Sequence, residues 1–147
     1  MFTTTLSSGP ILPINTCRGD TCQLSGRPVK TTGGLDYKEF ELAIRQVMTY
    51  YMGYVRNEKG MAVALEKLAL IEEHLEKLQA SNTHSLMRAN EAVHLLKTCQ
   101  LATRATMERK ESGRSIYRRS DYPDLDEQYD KVLTLWEHEG TPQLAWL

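Results

Sequence analysis

Three cysteines, four histidines and a run of arginines are the side chains with reactive or coordinating chemistry in this 147-residue sequence, and their spacing decides what they could do. Cys17 and Cys22, with four residues between them, could supply half of a tetrahedral metal site, but no second close pair of Cys or His completes it. Cys99 leaves the thiols an odd set without repeated spacing, which argues against a disulfide scaffold. His84 and His94 would stand about 15 Å apart on one helix, so they cannot share an ion; His74 and His138 are equally remote in sequence. Gly33-Gly34 is too short for a dinucleotide fingerprint, and no Gly-Lys-Ser/Thr phosphate loop occurs. The carboxylate pairs Glu72-Glu73 and Glu108/Glu111 fall on faces expected to be wet, and no Ser, Thr or Cys sits in a nucleophile motif. No catalytic residue, metal ligand or cofactor-binding residue is assigned to this chain.

The cations are more distinctive. Arg104, Arg109, Lys110, Arg114, Arg118 and Arg119 crowd one segment, and Asp121, Asp124, Asp126, Glu127 and Asp130 then reverse its sign. Cations at the end of a helix oppose the negative end of its macrodipole, which accounts for Arg109 and Lys110. Arg114, Arg118 and Arg119 lie beyond the expected helix and suit carboxylates or backbone carbonyls on another surface. A formal net charge of −1 and the adjoining acidic run argue against nucleic acid as the partner. No run approaches the roughly 20 apolar residues of a membrane span, and Met1-Phe2-Thr3-Thr4-Thr5-Leu6 lacks a signal peptide's pattern, so a cytoplasmic protein without membrane insertion is expected.

The elements that position these groups follow from periodicity. Asp36 and Glu39 resemble a capping box, opening a first helix that runs to about Asn57, with Phe40, Ile44, Val47, Tyr51 and Tyr54 along its inner stripe. Leu42, Met48, Tyr50, Met52 and Val55 widen that stripe past half the circumference. Arg56-Asn57-Glu58-Lys59-Gly60 reads as a tight reversal. A second helix, about Met61 to Ala80, carries Met61, Ala64, Leu65, Leu68, Ile71, Leu75 and Leu78 on one face. Ser81-Asn82-Thr83 supplies the cap of a third. That third helix has two apolar rows, Leu86, Ala89, Val93, Leu96, Gln100, Thr103 and Met107 beside Ala92, Leu95, Cys99, Ala102 and Thr106, and needs partners on more than one side. Gly113 permits its cap and Pro123 forbids continuation.

The expected fold is all-α: an antiparallel, spectrin-repeat-like three-helix bundle over residues 35–112. Residues 1–34 form a flexible arm or linker, in which Gly9-Pro10-Ile11-Leu12-Pro13-Ile14 is an extended piece suited to lying on a surface. Residues 113–147 form an extended, irregular docking tail. Trp136 and Trp146 are hard to bury inside so small a domain, and with the broad face of the first helix they predict contact with something larger.

Four blocks in this order carry a family resemblance: Val55-Arg56-Asn57-Glu58-Lys59-Gly60, Ala64-Leu65-Glu66-Lys67-Leu68, Ala105-Thr106-Met107-Glu108-Arg109-Lys110-Glu111-Ser112 and Arg119-Ser120-Asp121-Tyr122-Pro123. Over residues 36–126 the sequence resembles the C-terminal helical domain of the flavoproteins that include fumarate reductase, succinate dehydrogenase, L-aspartate oxidase and the adenylylsulfate reductase alpha subunit. The resemblance implies a three-helix bundle packed on an FAD-binding domain, with FAD in the parent protein rather than here. Gly113-Arg114-Ser115-Ile116-Tyr117 keeps the arginine of a family motif and lacks its histidine, and with Arg119-Ser120-Asp121-Tyr122-Pro123 it resembles the adenylylsulfate-reductase-like or an uncharacterised branch more closely. The implied partner is an FAD-binding flavoprotein domain or subunit, met through Tyr50, Tyr54, Arg114, Tyr117, Arg118, Arg119, Tyr122, Trp136 and Trp146. The alternative is a free-standing interaction module that self-associates as a homo-oligomer through the same surface.

Overall fold

A computed structural model describes residues 16–18, 21–24, 27–30, 32–113, 117–138 and 141–147. Three α-helices dominate it: α1 (Tyr37–Tyr51), α2 (Glu58–Glu73) and α3 (Thr83–Glu108), each packed on the other two. Each starts where a short polar side chain can take a free amide. The Asp36 carboxylate accepts from Lys38 N–H, Asn57 from Gly60 N–H, and Asn82 and Ser85 form a reciprocal box.

The core is a seam of Phe40, Ile44, Val47, Ala64, Leu68, Ala89, Ala92, Leu96 and Cys99. On α3 the buried line runs Leu86, Ala89, Ala92, Leu96, Cys99, Thr103, drawn from both rows seen in the sequence, while Val93 and Leu95 are half-buried flanks. A spacing of three or four keeps these residues facing the groove between α1 and α2. Thr103 enters the core because its hydroxyl donates to Cys99 carbonyl, so its buried oxygen has a partner. Glu41 is also buried, held by Arg88 at 3.0 Å and Arg45 at 3.2 Å, and the Arg88 bond ties α1 to α3.

Two helices end earlier than the apolar spacing predicts. α2 stops at Glu73 rather than Ala80 because Leu78 and Gln79 join bridges to Leu35 and Lys30. Leu35 N–H donates to Lys77 carbonyl at 2.7 Å, and Ala80 N–H to Lys30 carbonyl at 2.8 Å. This turn brings Leu78 and Ala80 inside without continuing the helix. α1 stops at Tyr51 rather than Asn57, and Val55–Arg56 becomes a short strand, β4.

Strands also correct the all-α expectation. Within residues 1–34, Thr16–Arg18 (β1), Thr21–Leu24 (β2) and Arg27–Val29 (β3) form an antiparallel sheet alongside α3. The Gly9 to Ile14 piece lies outside the described residues. β4 pairs in parallel with β5 (Arg118–Arg119). The tail is not irregular throughout: Leu133–His138 (β6) and Thr141–Trp146 (β7) make an antiparallel hairpin, Leu133 facing Trp146 and His138 facing Thr141. Thr134, Trp136, Thr141 and Trp146 are of the β-branched and aromatic types favoured in strands.

Truncating Leu96 to Ala should lower stability by about 2–5 kcal/mol, whereas Leu42→Ala, on the exposed side of α1, should change it by less than about 0.5 kcal/mol. Urea unfolding followed by circular dichroism measures both; equal effects would contradict this placement of the core.

Candidate functional site

The cationic segment after α3 folds back onto two helix ends. β5 adds to β4, with Arg118 N–H donating to Tyr54 carbonyl and Ser120 N–H to Arg56 carbonyl, both at 2.8 Å. This register delivers Arg119 to the C-terminus of α3 and Asp121 to the N-terminus of α2. Arg119 has no exposed surface. Its Nη1 donates to the carbonyls of Thr106 and Arg109 at 3.0 Å, and its Nε and Nη2 reach the two oxygens of Asp121 at 2.8 and 2.7 Å. The second Asp121 oxygen also accepts from Glu58 N–H at 2.8 Å.

Each member of the pair thus meets the helix end of opposite partial charge. Burying a guanidinium costs several kcal/mol unless a carboxylate and further acceptors compensate; here a bidentate carboxylate and α3's last carbonyls do so. The Arg119 hydrogen bonds hold the Asp121 carboxyl at about 2, below its usual range. The same bonds raise the Arg119 pKa.

Ser112 and Glu111 close the joint. Ser112 hydroxyl donates to Tyr122 carbonyl and accepts from Arg119 N–H, both at 2.6 Å, while its own amide donates to Asp124 carbonyl. Buried Glu111 pairs with Arg109, which also donates to Lys131 carbonyl and lies 5.1 Å from the Trp146 ring. Arg56 donates to Gly53 carbonyl and lies 4.7 Å over the Tyr117 ring. Burial lowers the Arg56 pKa and raises that of Tyr117. α3 ends at Glu108, short of Gly113, because the Arg119 guanidinium takes the carbonyls a glycine cap would have served. Gly113 nevertheless has φ +101°, a conformation that favours glycine.

The residues expected at an interface therefore separate into two groups. Arg119 is turned inward and cannot meet a partner, a correction that follows from its neighbours: the carbonyls of Thr106, Met107 and Arg109 and the Asp121 carboxylate lie within the chain's own reach. Tyr117 and Tyr122 are half-buried beside it, Tyr122 with its ring 5.0 Å from the Arg119 guanidinium. Trp146 is half-buried, its ring 5.3 Å from that of Tyr129. Arg114 lies outside the described residues. Tyr50, Tyr54, Arg118 and Trp136 are exposed, Tyr50 by 81%, Tyr54 by 68% and Trp136 by 49%.

Two concavities accompany the exposed aromatics. An open groove of about 490 Å³ between α1 and α2 is lined by Val47, Tyr50, Tyr51, Lys67, Leu70 and Ile71. A second space of about 560 Å³ lies between α2, α3 and the hairpin, where Trp136, Leu65, Leu101 and Arg104 meet the Glu72 and Lys97 ion pair. Hydrogen bonding by Gln100 and Lys97 lowers the Glu72 pKa. Among the described residues, no three His, Cys, Asp or Glu cluster as a metal site, and no helix is long and apolar enough to cross a membrane.

Arg56, Arg109, Glu111, Ser112 and Asp121 belong to the joint although the sequence did not single them out as site residues. The available signal was Asp121 two residues beyond a dense cationic run, with Ser112 beside a glycine. Arg119→Ala should cost about 3–5 kcal/mol, since it leaves Asp121 and the α3 carbonyls without their partner. Because Asp121 is depressed in the fold, its contribution is present above the unfolded value of about 3.9 and is lost as pH falls through about 2. Urea midpoints across this acid range should fall less steeply for Asp121→Asn than for the wild-type protein; parallel curves would refute the assignment.

The comparisons agree with the placement of these elements. The family model described as fumarate reductase flavoprotein C-term matches residues 41–146. An uncharacterised FAD-dependent oxidoreductase of Methanocaldococcus jannaschii is 31% identical over 86 residues, 58% of this chain and 16% of that protein. The fumarate reductase flavoprotein subunit of Haemophilus influenzae is 26% identical over 124 residues, 80% of this chain and 20% of its own length. Adenylylsulfate reductase from Archaeoglobus fulgidus superposes with a TM-score of 0.69 at 30% identity, covering 77% of this chain and 19% of that one. E. coli quinol fumarate reductase gives a TM-score of 0.70 at 22% identity over 80% of this chain and 22% of its own, a likeness of fold. The chain thus spans a fifth or less of the length of the two curated relatives. On the match to its residues 41–146, this protein belongs to the fumarate reductase flavoprotein C-terminal family.

Proposed function

We propose that this chain is the C-terminal helical part, or a separate subunit equivalent to it, of a cytoplasmic FAD-dependent oxidoreductase of the fumarate reductase, succinate dehydrogenase and adenylylsulfate reductase type. Its role is to dock on the FAD-binding domain and stabilise it, and hydride transfer belongs to that domain. The observation that carries this reading is the exposed apolar and aromatic face formed by Leu42, Tyr50, Tyr54, Val55 and Leu70 on a chain of this family. A face of this kind marks a surface built to be covered. In this reading residues 35–112 are the bundle, residues 113–147 reach the partner through Trp136 and Arg118, and residues 1–34 connect or cover.

The helix ends support placing FAD in the partner. A pyrophosphate is bound by free amides at a helix N-terminus. Here those amides face acceptors of the chain itself, Asp36 at α1, Asn57 and Asp121 at α2, and Asn82 at α3. Two of the four are carboxylates, which repel phosphate. That chemistry supports a reading in which the dinucleotide is held by the partner.

The chain, used as bait in an extract of its host, should retain a protein with a flavin absorbance spectrum. Tyr50→Ala and Trp136→Ala should each weaken retention about tenfold while leaving the urea midpoint unchanged. A flavin spectrum from the purified chain alone would overturn the reading. A stable dimer that buries Tyr50 and retains no flavoprotein would instead favour self-association.

A further inference from the structure

The two cysteines that the sequence leaves without a role are brought into register by the N-terminal sheet. β1 and β2 are antiparallel, and Cys17 and Cys22 are direct partners, flanked by the pairs Thr16 with Gln23 and Arg18 with Thr21. Facing residues of an antiparallel pair share one face of the sheet, with Cα atoms about 4.5–5.5 Å apart. A disulfide needs a Cα separation of about 4.4–6.8 Å. The register therefore places the two positions at a backbone spacing that a disulfide can span.

We propose that Cys17 and Cys22 are a redox-active dithiol that closes to an intramolecular cross-strand disulfide, with a low-molecular-weight disulfide as the oxidant. One cysteine thiolate attacks a sulfur of the oxidant, forms a mixed disulfide and expels the first small thiolate. The second cysteine thiolate then attacks the cysteine sulfur of that mixed disulfide and expels the other. The chain loses two hydrogens and two electrons, and the oxidant leaves as two thiols. The bond ties β1 to β2 within the sheet that lies along α3, while β2 also pairs with β3, so oxidation fastens the N-terminal segment to itself beside the bundle. Cys99 is the internal control: it is buried in the helical core, where burial raises its thiol pKa and disfavours the reactive thiolate.

The test is to incubate the reduced full-length chain with oxidised glutathione, block remaining thiols, digest with trypsin without reductant and analyse the peptides by mass spectrometry. Cleavage after Arg18 and Lys30 separates Cys17 from Cys22, and Cys99 falls in a third peptide between Lys97 and Arg104. The expected product is the linked pair of peptides ending at Arg18 and Lys30, lighter by two hydrogens than their sum, with Cys99 blocked as a free thiol. Cys22→Ser should instead accumulate a glutathione adduct on Cys17. Closure should be about tenfold faster in the folded chain than in guanidinium, because the pairing of β1 with β2 holds the two positions opposite one another. Separate glutathione adducts on both cysteines of the wild-type chain, a link to Cys99, absence of reaction, or equal rates in folded and unfolded chains would each overturn the proposal.

Discussion

A guanidinium with no exposed surface can persist only where nearly every hydrogen it offers finds an acceptor, and Arg119 meets that condition by standing between the ends of two helices. α3 presents its unfilled carbonyls and α2 its unfilled amides; Arg119 serves the first, and Asp121, gripped by the same guanidinium, serves the second. The bidentate pair closes an electrostatic circuit between opposite macrodipole ends. Much else follows from it: the early end of α3, the short parallel pairing of β4 with β5, and the inward position of Ser112 and Glu111. Without that joint, the segment after α3 would have few apolar residues with which to hold itself against the bundle.

The joint also separates cohesion from recognition. Charges at the end of a bundle could serve an external partner, but here the central ones are consumed internally. What remains for a partner is largely apolar and aromatic: Tyr50 and Tyr54 beyond the end of α1's buried stripe, Leu70 across the groove, and Trp136 on the hairpin. A face of that composition gains from being desolvated by a large surface. The chain corresponds to a fifth or less of the length of the two curated relatives.

The helices were legible because period is a local property. Phe40, Ile44 and Val47, or Ala64 and Leu68, recur at intervals that allow one face of a helix to be dry, and Asp36 and Asn82 mark starts by chemistry that acts within three residues. The exposed excess on α1 was visible for the same reason: Tyr50 and Leu42 lie off the stripe whatever the helix packs against. The early end of α2 was not legible, because Leu75 and Leu78 continue the helical spacing and it is Leu35 and Lys30, more than forty residues away, that draw the chain into bridges. The strands were missed because short segments such as Val55-Arg56 and Arg118-Arg119 have no period of their own.

Arg119 draws the line most clearly. Its charge, its position after a helix and the acid two residues beyond were all written in the sequence, and they determined that a cation would need acceptors. Whether those acceptors belonged to another molecule or to this one depended on where β5 came to rest, and that was decided by its pairing with a strand more than sixty residues earlier. Local spacing determined three amphipathic helices, their caps and a surplus of aromatic surface. The inward arginine and the shortened helices came from the tertiary fold, because hydrogen bonds between distant segments leave no periodic trace in the residues that make them.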